Sequence, residues 1–313
     1  MLTDLKIFSG SANPQLARSI CRTLGIGISR LEVSRFSNDN LFVKILENVR
    51  EKDVFIVQPF TAPVGDTIME LFIILDALRS ASARRITAVI PYFSYARSDK
   101  KDAPRISIAG RLMADLIRTA GASRVLTMDL HSDAVHGFFS VPVDHLTALP
   151  YFVEHFRKRL DLANAVVVAT DAGGAKRAGR LAERLHLPMA IIDKRRLADT
   201  EVVQGLVVGE VKGRDAIIYE DEISTGGTLA ASVKTLADAG VKSLHVGATH
   251  GVLCGLAVKR LVESSIESVA VTDTVRVPRE KQAGKIQILS VAPLFAEAIR
   301  RIHTGESVGA LFD

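Results

Sequence analysis

Short apolar runs alternate with amphipathic stretches along the first half of the chain. Leu5–Phe8, Asp53–Gln58, Arg85–Pro91 and Arg124–Leu130 read as buried strands, while Pro14–Leu24, Thr67–Ala83 and Ile106–Ala120 carry helical spacing. Such alternation predicts an α/β fold in which a mostly parallel sheet is flanked by helices. Pro14 suits a first helical turn, and Gly25 and Gly121 follow the last apolar positions as stops. Between these elements Arg35–Asn40, RFSNDN, is a polar loop leading into a strand at Leu41–Leu46 that projects from the sheet. The pattern then restarts. Ala165–Ala169, Met189–Ile192, Ala216–Tyr219 and Ser243–Ala248 read as strands; Gly174–Leu185 and Thr228–Ala239 read as helices. Leu229, Val233, Leu236 and Ala237 share one helical face, which Gly240 ends. The expected organisation is two α/β units, 1–145 and 146–313, joined near Pro142–Pro150. A last apolar-periodic helix at Leu289–His303 is a candidate to dock back on the first unit.

Composition narrows the class. With 313 residues, 48% hydrophobic and 24% charged, the chain has core enough for two globular domains. The net charge of +5 and pI near 9.2 are mild and are not gathered in a terminal tail. Aromatic residues make up only 5%, with no Trp, and no basic stripe appears, so a nucleic-acid partner is not expected. Basic residues collected at sites for small anions give the same balance. Cys21 and Cys254 have no metal-ligand spacing and read as small core residues in a reducing, cytoplasmic setting. No run approaches the roughly 18 apolar residues of a membrane span, and the start MLTDLKIFSG lacks the layout of a leader, so a soluble, unsecreted protein with no membrane partner is expected.

In open α/β sheets ligands bind beyond the carboxyl ends of the strands, and polar residues following apolar runs are therefore the candidates. The first such stretch, Arg97-Ser-Asp99-Lys100-Lys101, brings cations suited to a polyphosphate. In Asp129-Leu-His131 a carboxylate and an imidazole could share a metal or a phosphate oxygen, or the histidine could simply be buried. Thr170–Arg177 runs from an acid, Asp171, through two glycines to a basic helix start, which opposes the helix dipole and asks for an anion nearby. Asp193-Lys194-Arg195-Arg196 suits a loop that closes over negative charge. In Ala216–Leu229 a strand ends in Glu220 and Asp221, and a Ser/Thr/Gly loop then opens a helix. Gly226 and Gly227 admit close approach of a phosphate, Ser224, Thr225 and Thr228 offer hydroxyls, and the helix start presents free N–H groups. The two acids repel phosphate; they can accept from sugar hydroxyls or lean on a magnesium ion.

These stretches occur in company. KIFSGSANPQLA, ITAVIPYFSYARSDKK, RVLTMDLHSDAVHGFF, AIIDKRR, YEDEISTGGT, THGVLCGLA and LSVAPLFAEAIRRIHTGESV together give a chain that resembles the ribose-phosphate diphosphokinases throughout its length. The resemblance implies two tandem phosphoribosyltransferase-type domains, the first on the ATP side and the second on the ribose 5-phosphate side. It implies Mg²⁺-dependent transfer of the diphosphoryl group of ATP to the 1-hydroxyl of ribose 5-phosphate. It further implies that Ser224, Thr225, Gly226, Gly227 and Thr228 hold the 5-phosphate, with Glu220 and Asp221 on the ribose hydroxyls. Phe36, Asn38, Asn40, Arg97, Ser98, Asp99, Lys100 and His131 would serve the nucleotide, His131 and Asp171 the metal, and Lys194 and Arg196 the transferring group. A homo-oligomer, a hexamer by resemblance, is implied as well. Three departures stand out. Phe36–Asn40 replaces the family's usual FSDGE, from which a relaxed or altered nucleotide preference is expected; Ser98 stands where glutamine is common; Glu220 and Ser224 stand where Asp is frequent. The rival functions are a non-catalytic regulatory homologue and a phosphoribosyltransferase.

Overall fold

In the computed structural model, which describes residues 2, 4–193, 205–282 and 284–311 and the backbone alone of 196–198 and 201–202, the chain divides into two units. The first consists of Met1–Thr147, Thr274–Arg276 and Ser290–Asp313, and the second of Ala148–Asp273 and Val277–Leu289.

Unit 1 begins with β1 (Leu5–Ser9) and α1 (Pro14–Leu24). Sequence dictates the ends of α1 closely: the Asn13 side chain accepts from the Leu16 N–H at 3.2 Å, Pro14 fills the first turn, and Gly25 closes the helix at φ 70°. There follow β2 (Leu31–Arg35), β3 (Leu41–Ile45), β4 (Asp53–Val57), α2 (Val64–Ser80), β5 (Arg85–Ile90), α3 (Ala109–Ala120), β6 (Arg124–Met128) and β7 (Val143–Leu146). β1, β4, β5, β6 and β7 form one parallel sheet in that order, while β2 and β3 make a separate antiparallel hairpin. Phe8, Val54, Ile56, Ile86, Ala88 and Val125 share a core with Leu71, Ile74 and Leu78 of α2 and Ile117 of α3. Their neighbours Ile7, Phe55, Val57 and Leu126 are equally buried and face the other side, as strand alternation requires.

Unit 2 opens with α4 (Leu149–Arg159), β8 (Ala165–Ala169), α5 (Ala175–Leu185) and β9 (Met189–Asp193). The backbones of β10 (Arg196–Ala198) and β11 (Glu201–Val202) pair as a short antiparallel ribbon. β12 (Leu206–Val208), β13 (Asp215–Ile223), α6 (Gly227–Asp238), β14 (Ser243–Gly251), α7 (Ala257–Glu263), β15 (Ser268–Thr272) and β16 (Ile286–Leu289) complete it. The sheet order is β12-β9-β8-β13-β14-β15-β16, parallel except for β12 on β9. From β8 the chain moves one way to β9 and then returns to pair β13 on the other side. The order reverses between β8 and β13, and that reversal opens a crevice at their carboxyl ends.

The chain then returns to unit 1 as α8 (Ala292–Thr304), which packs on α1. Its last turn meets a carboxylate with no exposure, Asp53 at the start of β4. Arg85 Nε donates to Asp53 at 2.8 Å, His303 Nδ1 lies 2.8 Å from the same carboxylate, and Arg85 also donates to the Ile302 carbonyl at 2.9 Å. A buried charge needs such partners, and here they tie two strands to the helix.

Several elements differ from the pattern expected. β13 does not stop at Tyr219 but carries Glu220 and Asp221 inside the strand as far as Ile223. β2, β7, α4, β15 and β16 have no counterpart in the expected strings. The stretch expected to connect the units, Pro142–Pro150, contains β7 and the start of α4, where Pro150 sits in the first turn.

β14 contains a glycine because α4 lies on it. A Cβ on Gly247 would stand 2.7 Å and 3.0 Å from Phe152 ring carbons and 3.2 Å from Phe156. Both rings are fully buried, and Phe152 also stacks against Tyr219 at 4.8 Å, so neither can swing aside. Gly247→Ala is expected to destabilise the protein by about 1–3 kcal/mol through overpacking, as measured by urea unfolding.

Candidate active site

The carboxyl ends of β8 and β13 bring together Asp171, Arg177, Glu220 and Asp221. Asp171 follows β8, and its Oδ1 accepts the Gly174 N–H at 2.9 Å, which shapes the turn into α5. A Cβ on Gly173 would stand 3.2 Å from that oxygen. α5 starts with Lys176 and Arg177 in its first turn. Arg177 faces protein carboxylates: Nη1 lies 2.9 Å from Glu220 Oε2 and Nη2 3.1 Å from Asp221 Oδ1. The Thr170 hydroxyl donates to the other Glu220 oxygen. The anion asked for by this basic helix start is thus supplied in part by β13 itself. Burial pushes the Glu220 carboxyl above the usual carboxylate range; the Thr170 hydrogen bond and the Arg177 charge pull it back, while Asp221 and Asp171 push it further up.

Beyond Ile223 the chain forms the loop Ser224–Gly226 and enters α6. Three successive carbonyls of this turn are held from one side. Leu253 N–H donates to Ile223 O at 2.9 Å, Cys254 N–H to Ser224 O at 3.0 Å, and Arg260 to Thr225 O at 2.7 Å. Gly226, the N-cap residue, sits at φ 71° and offers no side chain to the N–H groups that follow. Those first amides have no intrahelical acceptor by position. Thr225, Gly227 and Thr228 are exposed, and Ser224 is half-buried with its hydroxyl 3.2 Å from Cys254 Sγ. With its carbonyls tied back and its opening amides uncapped, the loop has the arrangement of a cradle able to take an anion. Cys254 is therefore a support of this loop, whereas Cys21 is the core residue expected, with burial pushing its thiol up to about 11.

In unit 1 the candidate residues lie in three places. Phe36, Asn38 and Asn40 form the tip of the β2–β3 hairpin, closed by Phe36 N–H to Asn40 O at 3.0 Å and by Asn38 Oδ1 accepting from Asn40 N–H at 3.3 Å. Phe36 is 58% exposed, with its ring edge-on to Phe42. Arg35 braces the tip against Asp39 at 2.8 Å and Asp66 at 2.7 Å. Arg97 and Lys100 are exposed and Asp99 is half-buried in the loop after β5. Ser98 is engaged within the protein, its hydroxyl 3.3 Å from both Ser107 O and Ala109 N and its carbonyl accepting from Gly110 N–H at 3.1 Å. His131 is exposed just beyond β6. Asp129 adopts φ 36°, a positive value uncommon outside glycine though better tolerated by Asp than by most residues, and Leu130 N–H is held by His145 Nε2 at 2.8 Å.

Lys194 lies outside the described residues, and of Arg196 only the backbone is described. His131 and Asp171 belong to different units. Among the described residues no group of three or more His, Cys, Asp or Glu is placed to hold a metal ion. Mg²⁺ is oxygen-seeking and keeps several waters, so the Asp171 carboxylate fits an ion brought in on phosphate rather than an all-protein cage. No helix among the described residues is long and apolar enough to cross a membrane. The sequence places Thr170 and Arg177 in a candidate stretch without giving either a role, and it does not single out Arg260, Cys254 or His145 as site residues. Only Arg177 carried a signal there, its charge in a first helical turn.

A switch-point crevice, paired acids on a strand and an uncapped Gly-Gly helix start define an α/β protein of the phosphoribosyltransferase type. Residues 5–121 match the family described as the N-terminal domain of ribose phosphate pyrophosphokinase, and residues 199–313 match the phosphoribosyl synthetase-associated domain. The chain is 54% identical to the ribose-phosphate pyrophosphokinase of Deinococcus radiodurans, over 99% of this chain and 98% of that protein. It is 47% identical to that of Rhodopirellula baltica over 99% of both. The crystal structure of phosphoribosylpyrophosphate synthetase from Mycobacterium smegmatis matches with a TM-score of 0.92 at 38% identity, covering 97% of this chain and all of that one. The chain belongs to the ribose-phosphate pyrophosphokinase family and is an enzyme, a transferase of nucleotide biosynthesis.

Gly226→Ala is expected to cost about 1–2 kcal/mol, because the left-handed backbone at φ 71° is strained for any residue with a Cβ. The neighbouring Ala257 backbone, 3.6 Å from the added carbon, adds no clash. A urea melt of the variant against the parent measures it.

Proposed function

We propose that this protein transfers the diphosphoryl group of ATP to the 1-hydroxyl of ribose 5-phosphate, giving AMP and 5-phosphoribosyl 1-diphosphate. The observation that carries the proposal is the Ser224–Thr228 cradle directly beyond Glu220 and Asp221: an anion site and a pair of hydroxyl acceptors one short loop apart. That spacing suits a sugar phosphate, with its 5-phosphate on the cradle amides and its 2- and 3-hydroxyls on the carboxylates. The nucleotide falls to unit 1, with Arg97, Asp99 and Lys100 along it and Phe36, Asn38 and Asn40 at the base. Ser98 helps by fixing the loop that carries Arg97.

Attack at the middle phosphorus of ATP requires alignment and charge neutralisation more than a strong base. Lys194 and Arg196 are assigned to that neutralisation. His131 and Asp171 would hold Mg²⁺, which when bound neutralises phosphate charge. The protein is assigned to the cytoplasm, in accord with its two unpaired cysteines, and to a homo-oligomer, a hexamer by resemblance.

Mixing the protein with ribose 5-phosphate, Mg²⁺ and, in turn, ATP, GTP and CTP tests the proposal. AMP is expected from ATP. Turnover with the other donors is expected too, since Asn40 supplies an amide that both donates and accepts where an acid would only accept. Strict use of ATP would sink that second expectation alone, and absence of AMP would favour a regulatory homologue. Pyrophosphate release from the sugar diphosphate with a base would indicate a phosphoribosyltransferase.

Lys194→Ala is expected to lower kcat by about two orders of magnitude while leaving ribose 5-phosphate binding nearly unchanged, as for loss of a transition-state contact. Steady-state kinetics with calorimetric binding separate this from an equal loss in both, which would place Lys194 in the ground-state site.

A further inference from the structure

Arg177 has an arrangement that the phosphate cradle does not explain. Glu220 and Asp221 are consecutive residues of β13, and consecutive strand side chains point to opposite faces of a sheet. Two hydroxyls on adjacent sugar carbons lie side by side, so acceptors for both must be brought to one side. In this structure both carboxylates reach a single guanidinium, Nη1 at 2.9 Å from Glu220 Oε2 and Nη2 at 3.1 Å from Asp221 Oδ1. The planar fork of arginine can span two carboxylates, which a lysine ammonium, a point charge on a flexible stem, does less well. The three side chains are 24%, 18% and 7% exposed, so solvent screens the contact little. Thr170 closes the other oxygen of Glu220, and Asp171 adds a third acid to the crevice, which makes a local cation necessary for the pair to stay together.

We propose that Arg177 is a positioning residue for sugar recognition: it gathers Glu220 and Asp221 onto one side of β13 as a paired acceptor, and so sets the preference for a ribose bearing both hydroxyls. The inference rests on the ribose 5-phosphate reading of this site. Arg177 itself touches no reacting atom. Its loss weakens the hold on the diol while the cradle, fixed separately by Leu253, Cys254 and Arg260, keeps its grip on the phosphate.

The experiment compares ribose 5-phosphate with 2-deoxyribose 5-phosphate by calorimetry on the full-length protein. A site built to bond a hydroxyl discriminates against the analogue that lacks it, and the wild type is expected to prefer ribose 5-phosphate by about tenfold or more. In Arg177→Met that ratio falls towards one, KM for ribose 5-phosphate rises by about tenfold, and KM for ATP is unchanged. Arg177→Lys recovers part of the preference, and Thr170→Val lowers it in the same direction by a smaller factor. These two variants carry the test if Arg177→Met does not fold. A variant that melts like the wild type and keeps the full preference overturns the inference, as does a loss of affinity equal for both sugars. A wild type that binds ribose 5-phosphate but makes no AMP overturns the proposed reaction and leaves the Arg177 comparison intact. A wild type that binds neither sugar overturns both.

Discussion

Carboxylates crowded at the ends of two neighbouring parallel strands are the constraint on which unit 2 depends. Asp171 follows β8, and Glu220 and Asp221 lie in the carboxyl-terminal half of β13, at the place where the strand order reverses. Like charges at such range repel, and burial of Glu220 aggravates the cost. The structure answers with a cation from α5 and a hydroxyl from Thr170 instead of moving the acids to solvent. A first-turn arginine is unfavourable to its own helix dipole, so α5 bears a local penalty that the acids of the adjacent strand offset. The conflict between helix and cation is thereby resolved across two elements, and neither element explains it alone.

The cradle beside these acids follows a complementary logic. Its carbonyls are bonded backwards to the segment carrying Leu253, Cys254 and Arg260, and its N-cap glycine leaves the opening amides of α6 without a side-chain acceptor. Polar backbone that is normally satisfied within a helix end is thus divided, acceptors inward and donors outward. The loop residues Ser224–Gly226 carry no basic side chain of their own; the nearby Arg260 guanidinium is bonded to the Thr225 carbonyl. This is compatible with two acids standing immediately upstream, which a lysine or arginine in the loop would otherwise draw into ion pairs.

Most of the regular framework was legible in the pattern. α1 runs from Pro14 to Leu24 as expected because its ends are chemical, Asn13 and Pro14 at one and Gly25 at the other. β8, AVVVA, is buried at every position and reads as what it is. Failures have specific causes. β13 was cut short at Tyr219 because a strand ending in Glu-Asp-Glu looks like a loop unless Arg177 and Thr170 are known to be waiting. α4 was lost to Pro150, which signals a connection by composition but sits in a first turn, where proline is at home. β2 was missed because its inward face is only Leu31 and Val33, both half-buried, between the exposed Glu32, Ser34 and Arg35, too short an alternation to stand out. At the candidate site, the strand-loop-helix frame that carries the acid pair and the two glycines was legible, and β13, the Ser224–Gly226 loop and α6 form it. Arg260, Cys254 and His145 were not, since each acts through a backbone atom distant in sequence.

The return of α8 to unit 1 bears on the order in which the chain can be built. The first unit is not a continuous stretch: the whole of the second comes before the helix that packs on α1 and meets Asp53. Phe295 and Ile299 of that helix are wholly buried, so the amino-terminal core stays incomplete until residues 292–304 have been synthesised. A polypeptide emerging from the ribosome would ordinarily consolidate its leading domain first. Here the trailing unit has its whole sheet available earlier than the leading one has its last helix. An amino-terminal fragment ending near Thr147 would accordingly expose the α1 face, a surface that a holding chaperone would have to cover during translation.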